Sequence, residues 1–154
     1  MSKSIIKNKL ERYCALQDRC VQEVRNKMRQ LDCPVEWEEE IKNDLIENNY
    51  LDENRFAKAF VRGHFRLKGW GKLKINSALL QKGISIENIN SAINTEIGEE
   101  EYFDKLIQIA QKKITQTSGK ELSPDSLSSL IRYLQQKGYE LEIIFSAIKV
   151  LETV

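Results

Sequence analysis

The stretch LLQKGISIENINSAI, Leu79 to Ile93, returns as LQQKGYELEIIFSAI, Leu134 to Ile148, at a constant shift of 55 positions. The two copies share a leucine, the run Gln-Lys-Gly, a glutamate, an isoleucine and the closing Ser-Ala-Ile. Their apolar residues recur at spacings of three and four, the period of an amphipathic helix. Each copy breaks at a glycine, Gly83 or Gly138, where a left-handed residue can end a helix without strain. A third copy is fainter. Val24 and Met28 stand where Ile75 and Leu79 stand, and Trp37 and Ile41 correspond to Ile89 and Ile93. Phe56, Phe60 and Val61 likewise correspond to Tyr102, Leu106 and Ile107. One such unit cannot bury its apolar face alone, so neighbouring copies must share a core. The pattern predicts an all-α chain of three tandem three-helix repeats, 1–48, 49–97 and 98–154, forming an elongated, curved, helix-turn-helix-like array.

Punctuation sets the element ends. Helices are predicted over 4–17, 20–31, 35–47, 53–67, 72–82, 86–96, 99–116, 124–137 and 141–152. Asp52 is placed to cap the helix carrying Phe56 and Phe60, both read as core. Ser123 precedes Pro124, a proline whose missing N–H costs nothing in a first turn. With two prolines and seven glycines in 154 residues, long unstructured segments are not expected. No apolar run approaches the ~18 residues that would span a membrane. The opening MSKSIIKNKL lacks the apolar segment of an export signal, so the expected location is the cytoplasm, with no membrane contact. Cys14, Cys20 and Cys33 fit no zinc spacing, and the one histidine, His64, is remote; they read as reduced, apolar thiols, and no metal site is expected.

The net charge of +1 conceals a sharp segregation. Asp32 to Glu53 holds nine acids and one lysine, whereas residues 54–86 hold eight cations and no acid. These are Arg55, Lys58, Arg62, Arg66, Lys68, Lys72, Lys74 and Lys82. On the helix starting at Glu53, a 100° rotation per residue gathers Phe56, Phe60 and Leu67 on a core sector with His64 beside it. Arg55, Lys58, Arg62 and Arg66 fall nearly opposite, with Val61 and Phe65 on the flanks. Together with Lys68, Trp70, Lys72 and Lys74, that stripe is the candidate surface for phosphates or carboxylates. In RLKGWGKLKI, Arg66 to Ile75, Gly69 reads as a helix stop and Gly71 as the next N-cap. Trp70 then precedes the cap and Ile75 lies four residues into the helix, the two halves of a hydrophobic staple, with Leu79 one turn on in the core. Glu36 to Glu40 and Glu99 to Glu101 read as acidic helix starts. No phosphate-binding glycine loop, histidine triad or isolated carboxylate pair occurs, so neither a catalytic residue nor a cofactor is expected.

The run YLDENRFAKAFVRGHFRLKGWGKLKINSALLQKGI, Tyr50 to Ile84, resembles the RecX recombination regulators, with their Tyr-Leu-Asp, Arg-Phe-Ala, basic helix, glycine break and Ile/Leu helix ending at Gly-Ile. The closing RYLQQKGYELEIIFSAI is similar to that family's C-terminal element, and matching order covers roughly residues 10–150. Trp70 stands where many members carry further basic residues. The resemblance implies a non-enzymatic monomer that binds the RecA recombinase and its DNA filament, hinders filament growth and restrains recombination and the SOS response. It implies contacts at Arg55, Arg62, Arg66, Lys72, Lys74 and Trp70, and a weak direct contact with DNA. The competing reading is a helix-turn-helix nucleic-acid binder whose reading helix runs from Lys72 to Lys82.

Overall fold

The protein is described from a computed structural model covering residues 1–117 and 122–153. Among these residues the secondary structure is helical throughout: α1 (Lys3–Leu16), α2 (Val21–Gln30), α3 (Val35–Glu47), α4 (Glu53–Arg66), α5 (Lys72–Gln81), α6 (Ile86–Glu96), α7 (Glu99–Thr117), α8 (Pro124–Gln136) and α9 (Leu141–Glu152). Each end lies within one residue of its expected place, because local side chains set it. The Asp52 carboxylate accepts the Arg55 N–H at 3.0 Å, and Ser85 Oγ accepts the Asn88 N–H at 3.2 Å. Ser123 Oγ accepts the Ser126 N–H at 3.2 Å, with Pro124 in the first turn. These caps satisfy amides that the helix itself leaves open.

The same turn closes α2, α5 and α8. The N–H of Cys33, Ile84 and Tyr139 donates to the C=O of Met28, Leu79 and Leu134 at 2.9, 3.1 and 3.2 Å. One residue earlier, the N–H of Asp32, Gly83 and Gly138 donates to Arg29, Leu80 and Gln135. This paired bonding requires a left-handed residue, and φ is 54° at Asp32, 78° at Gly83 and 101° at Gly138. The first repeat therefore makes with an aspartate the turn that the other two make with glycine. Asn49, φ 64°, ends α3 in the same way.

The chain forms two compact units: Met1–Ala59 with Leu79–Ala92, and Phe60–Ala78 with Ile93–Val154. In the first, α1, α2 and α3 pack together around Ile6, Leu10, Cys14, Val24, Met28, Ile41 and Leu45. In the second, α7, α8 and α9 enclose Leu106, Ala110, Leu130, Leu134, Ile144 and Ile148, with Phe65, Tyr102 and Tyr139 among the largest fully buried side chains. The Tyr102 and Tyr139 rings stack at 5.0 Å, and Phe65 meets Tyr102 at 6.0 Å.

Helix α4 corrects one expectation. Its buried residues are Phe56, Ala57, Val61 and Phe65, whereas Phe60 is half-buried and Leu67 is 88% exposed. Ala57, Val61 and Phe65 stand four apart and form a continuous stripe, and Phe65 is drawn inward by the Tyr102 ring. Leu67 lies beyond the last helical residue, Arg66, so helical rotation no longer governs where it points.

Candidate functional site

The acidic segment is matched from within the first unit. Lys3 pairs with Glu40, and Lys7 with Asp44 at 3.2 Å. Arg25 reaches Glu39 at 3.1 Å and the buried Glu38 at 3.8 Å, and Lys42 closes on Glu39 at 2.6 Å, which holds that carboxyl below its usual range. Glu53 accepts the Val21 N–H at 3.0 Å, so it caps α2 as well as opening α4. The segment's charge is largely used in holding α1, α2 and α3.

The basic segment divides into two kinds of cation. Arg55 donates to Asp18 at 2.6 Å and to the carbonyls of Asn49 and Tyr50, each at 3.2 Å. Its planar fork is thus occupied on three sides, clamping the turn that leads into α4. Lys82 lies 3.4 Å from Glu23. Arg62 pairs with Glu96 at 2.9 Å and Arg66 with Glu101 at 3.5 Å, yet both arginine side chains are about half exposed, at 46% and 51%. The Arg66–Glu101 pair, exposed on both sides, contributes only ~0–1 kcal/mol, so a phosphate or a partner carboxylate can displace that acid, whereas Glu96 is only 13% exposed. By contrast, Lys58, Lys68, Lys72 and Lys74 have no acid within ion-pair distance among the described residues.

Trp70 sits among those lysines for a structural reason. Gly69, φ 70°, ends the α4 turn, and its carbonyl accepts the Tyr139 hydroxyl at 3.1 Å. Gly71 directly precedes α5 as expected, and its N–H donates to Lys137 O at 2.7 Å. A Cβ on Gly71 would lie 2.4 Å from the backbone of Gly138, so two chain segments touch there backbone to backbone. The Lys72 N–H donates to the Tyr102 hydroxyl at 3.0 Å, which in turn bonds Glu140. Burial, then that bond to Glu140, pushes the Tyr102 phenol far above its usual range, keeping it protonated.

Between these fixed glycines the Trp70 ring lies half-exposed, 4.6 Å from His64 and 6.3 Å from Phe60. His64 stacks on Phe60 at 3.7 Å and its Nδ1 is 2.8 Å from Phe60 O. Ile75, the other half of the expected staple, is fully buried, while the rings Trp70 meets belong to α4. The Lys74 ammonium stands 4.5 Å and the Lys68 ammonium 5.6 Å from the Trp70 centroid, within cation–π reach. Lys72 instead lies over Tyr102 at 4.5 Å. The corner so built presents an aromatic edge flanked by two cations that no described acid pairs.

Sequence reasoning missed the internal acids Asp18, Glu96 and Glu101, which neutralise the arginines from other segments. It also missed Tyr102 and Glu140, which hold the start of α5; the aligned aromatic at Tyr102 was the available signal. Cys14, Cys20 and Cys33 are buried and unpaired, and burial raises each thiol, Cys14 to about 11. Among the described residues no His, Cys, Asp and Glu group could hold a metal, and no helix is long and apolar enough to cross a membrane.

Comparisons place this architecture. The family model for the second three-helix domain of RecX matches residues 52–93, and that for the third matches residues 99–148. Proteins named regulatory protein RecX are similar across most of the chain. That of Lactobacillus johnsonii is 30% identical over 134 residues, covering 85% of this chain and 48% of the relative. That of Clostridium botulinum strain Alaska E43 is 34% identical over 106 residues, covering 68% and 49%. The chain thus spans about half the length of these curated relatives. The crystal structure of RecX from Lactobacillus salivarius superposes with a TM-score of 0.87 at 24% identity, covering 99% of this chain and 97% of that one, which shows a shared fold. With both repeat models aligned on the helices and turns described above, the chain belongs to the RecX family.

Proposed function

We propose that this protein binds the RecA recombinase and its DNA filament, hinders filament growth, and so restrains recombination and the SOS response. It acts in the cytoplasm as a monomer, without catalysis or a cofactor. The observation that supports this reading best is the Trp70 corner, where Lys68 and Lys74 flank a half-exposed ring fixed between two glycines and no described acid pairs with either lysine. Lys58, Lys72 and the half-exposed Arg62 and Arg66 offer the same chemistry. Arg55 serves the fold first, since three internal acceptors already occupy it. An acidic protein surface or filament phosphates are both suited to such cations, and the aromatic edge adds apolar area to the contact.

The test is inhibition of DNA-dependent ATP turnover and strand exchange by RecA from the same organism. Purified protein should inhibit both, and Lys68→Gln/Lys74→Gln should need at least about tenfold more protein for the same effect while keeping its helical circular dichroism. Full RecA activity at saturating protein would dismiss the proposal. A reading of bare DNA by α5 is disfavoured, because its first turn is docked on Lys137, Gly138 and Tyr102. A salt titration separates the two: groove reading through ~4–6 phosphates would give a log–log slope near −4 to −5.

A further inference from the structure

Away from the Trp70 ring, the second unit carries a pocket of about 400 Å³ whose cations come from separate stretches of the chain. Lys105, Lys112 and Lys113 project from one side of α7, Lys137 follows α8, and Lys68 comes from the turn after α4; Tyr133 completes the wall. Among the described residues, no acid lines it. The acids of α7, Glu99, Glu100, Glu101 and Asp104, occupy its first turns, and the pocket begins where they stop. Two of the lysines are positioned by carbonyls: Lys105 Nζ donates to Arg66 O at 3.0 Å and Lys137 Nζ to Lys68 O at 3.1 Å. A carbonyl oxygen orients an ammonium without cancelling its charge. Lys113 is held over the Tyr133 ring at 4.5 Å. Lys68, Lys105, Lys112 and Lys137, gathered in one concavity, repel each other until an anion joins them, whereas an ordinary solvated surface intersperses both signs.

We propose that this pocket binds closely spaced phosphate groups, supplied either by a nucleic-acid strand or by a free polyphosphate. Lysines suit this task as compact point charges that can share several phosphate oxygens, and the open mouth admits a chain of phosphates passing through. The site shares Lys68 and Gly69 with the Trp70 corner, but Lys105, Lys112, Lys113 and Tyr133 lie outside it, so the proposal is tested apart from any contact of the corner with RecA.

The test uses the full chain, titrated at low salt with inorganic tripolyphosphate by calorimetry and with a fluorescent single-stranded oligothymidylate by anisotropy. The variant is Lys112→Gln/Lys137→Gln, and the control Lys9→Gln/Lys149→Gln removes the same charge from exposed positions outside the pocket. Lys112→Glu alone, on the exposed side of α7, is the fallback should the double variant lose helical signal. Tripolyphosphate affinity should fall about tenfold or more in the pocket variants and stay within about twofold in the control. If a strand is the source, oligonucleotide affinity falls in parallel and the salt slope flattens by ~0.7 for each phosphate no longer neutralised. If free polyphosphate is the source, oligonucleotide binding is unchanged by the same substitutions. Absence of binding to either probe at millimolar concentration, or an equal loss in the control, overturns the proposal.

Discussion

Gly71→Ala should be among the most damaging single-methyl additions in this protein. An ideal Cβ there would stand 2.4 Å from both the carbonyl carbon and oxygen of Gly138 and 2.5 Å from the Tyr139 nitrogen. Carbon atoms reach their best contact at ~3.5–4 Å, so relief needs a backbone displacement of more than ~1 Å. Backbone atoms have no rotamer through which to escape. That displacement opens the bonds from the Gly71 N–H to Lys137 O, 2.7 Å, and from the Leu73 N–H to Gly138 O, 2.9 Å. Overpacking costs ~1–3 kcal/mol, and each broken bond with a buried partner adds ~1 kcal/mol or more, for a total near 3–5 kcal/mol. Gly63→Ala is the matched comparison. It lies inside α4 with nothing within 4 Å of its ideal Cβ, so the substitution should stabilise by ~0.5–1 kcal/mol. Urea denaturation followed by circular dichroism reads both from the midpoints at constant slope. Gly138→Ala should be damaging for a partly different reason: its Cβ would meet the Lys74 Cβ at 2.4 Å, and its φ of 101° strains any L side chain. A loss below ~1 kcal/mol for Gly71→Ala would refute the backbone contact.

Asp32→Gly should raise stability by ~0.5–1 kcal/mol, since Asp32 holds φ 54° in the turn where the later repeats use glycine; a loss on thermal denaturation would contradict that account. Stability should fall as pH rises from about 8.5 towards 11. Burial raises all three thiols above their unfolded values, so the folded state keeps protons that the unfolded chain releases, and the stabilisation present below the unfolded pKa is lost above it. Cys14→Ala, removing the thiol pushed up to about 11, should flatten this decline relative to the parent; parallel curves in pH-dependent urea unfolding would argue against it.

The helices are legible in the sequence because their signals are local. Asp52, Ser123 and Gly138 cap or stop a helix through neighbours a few residues away, and the repeat from Leu79 to Leu134 supplies the unit. What escapes is what depends on partners distant in sequence. Two apolar stripes overlap on α4; the Tyr102 ring draws Phe65 inward, and Leu67 falls past the last helical residue. The basic run looks uniform, but Asp18, Glu96 and Glu101 neutralise its arginines and spare four of its lysines. Gly71 reads as an N-cap; that it also touches Gly138 follows from packing that no spacing rule records. The lysines of α7 are dispersed among apolar residues, so their convergence with Lys68 and Lys137 is invisible until the helices are assembled.

The Gly71–Gly138 contact also sets an order of events. Helix α5 leaves the ribosome with the amides of Gly71 and Leu73 unanswered, because their acceptors, Lys137 O and Gly138 O, are translated more than sixty residues later. Until the turn after α8 forms, the first turn of this helix has only the Tyr102 hydroxyl of α7 to answer it, through the Lys72 N–H. Its start should therefore fray in nascent chains and lock only when synthesis is nearly through α8. In the finished protein, those two amides should exchange with solvent at the rate of the α8–α9 turn rather than of α5 itself.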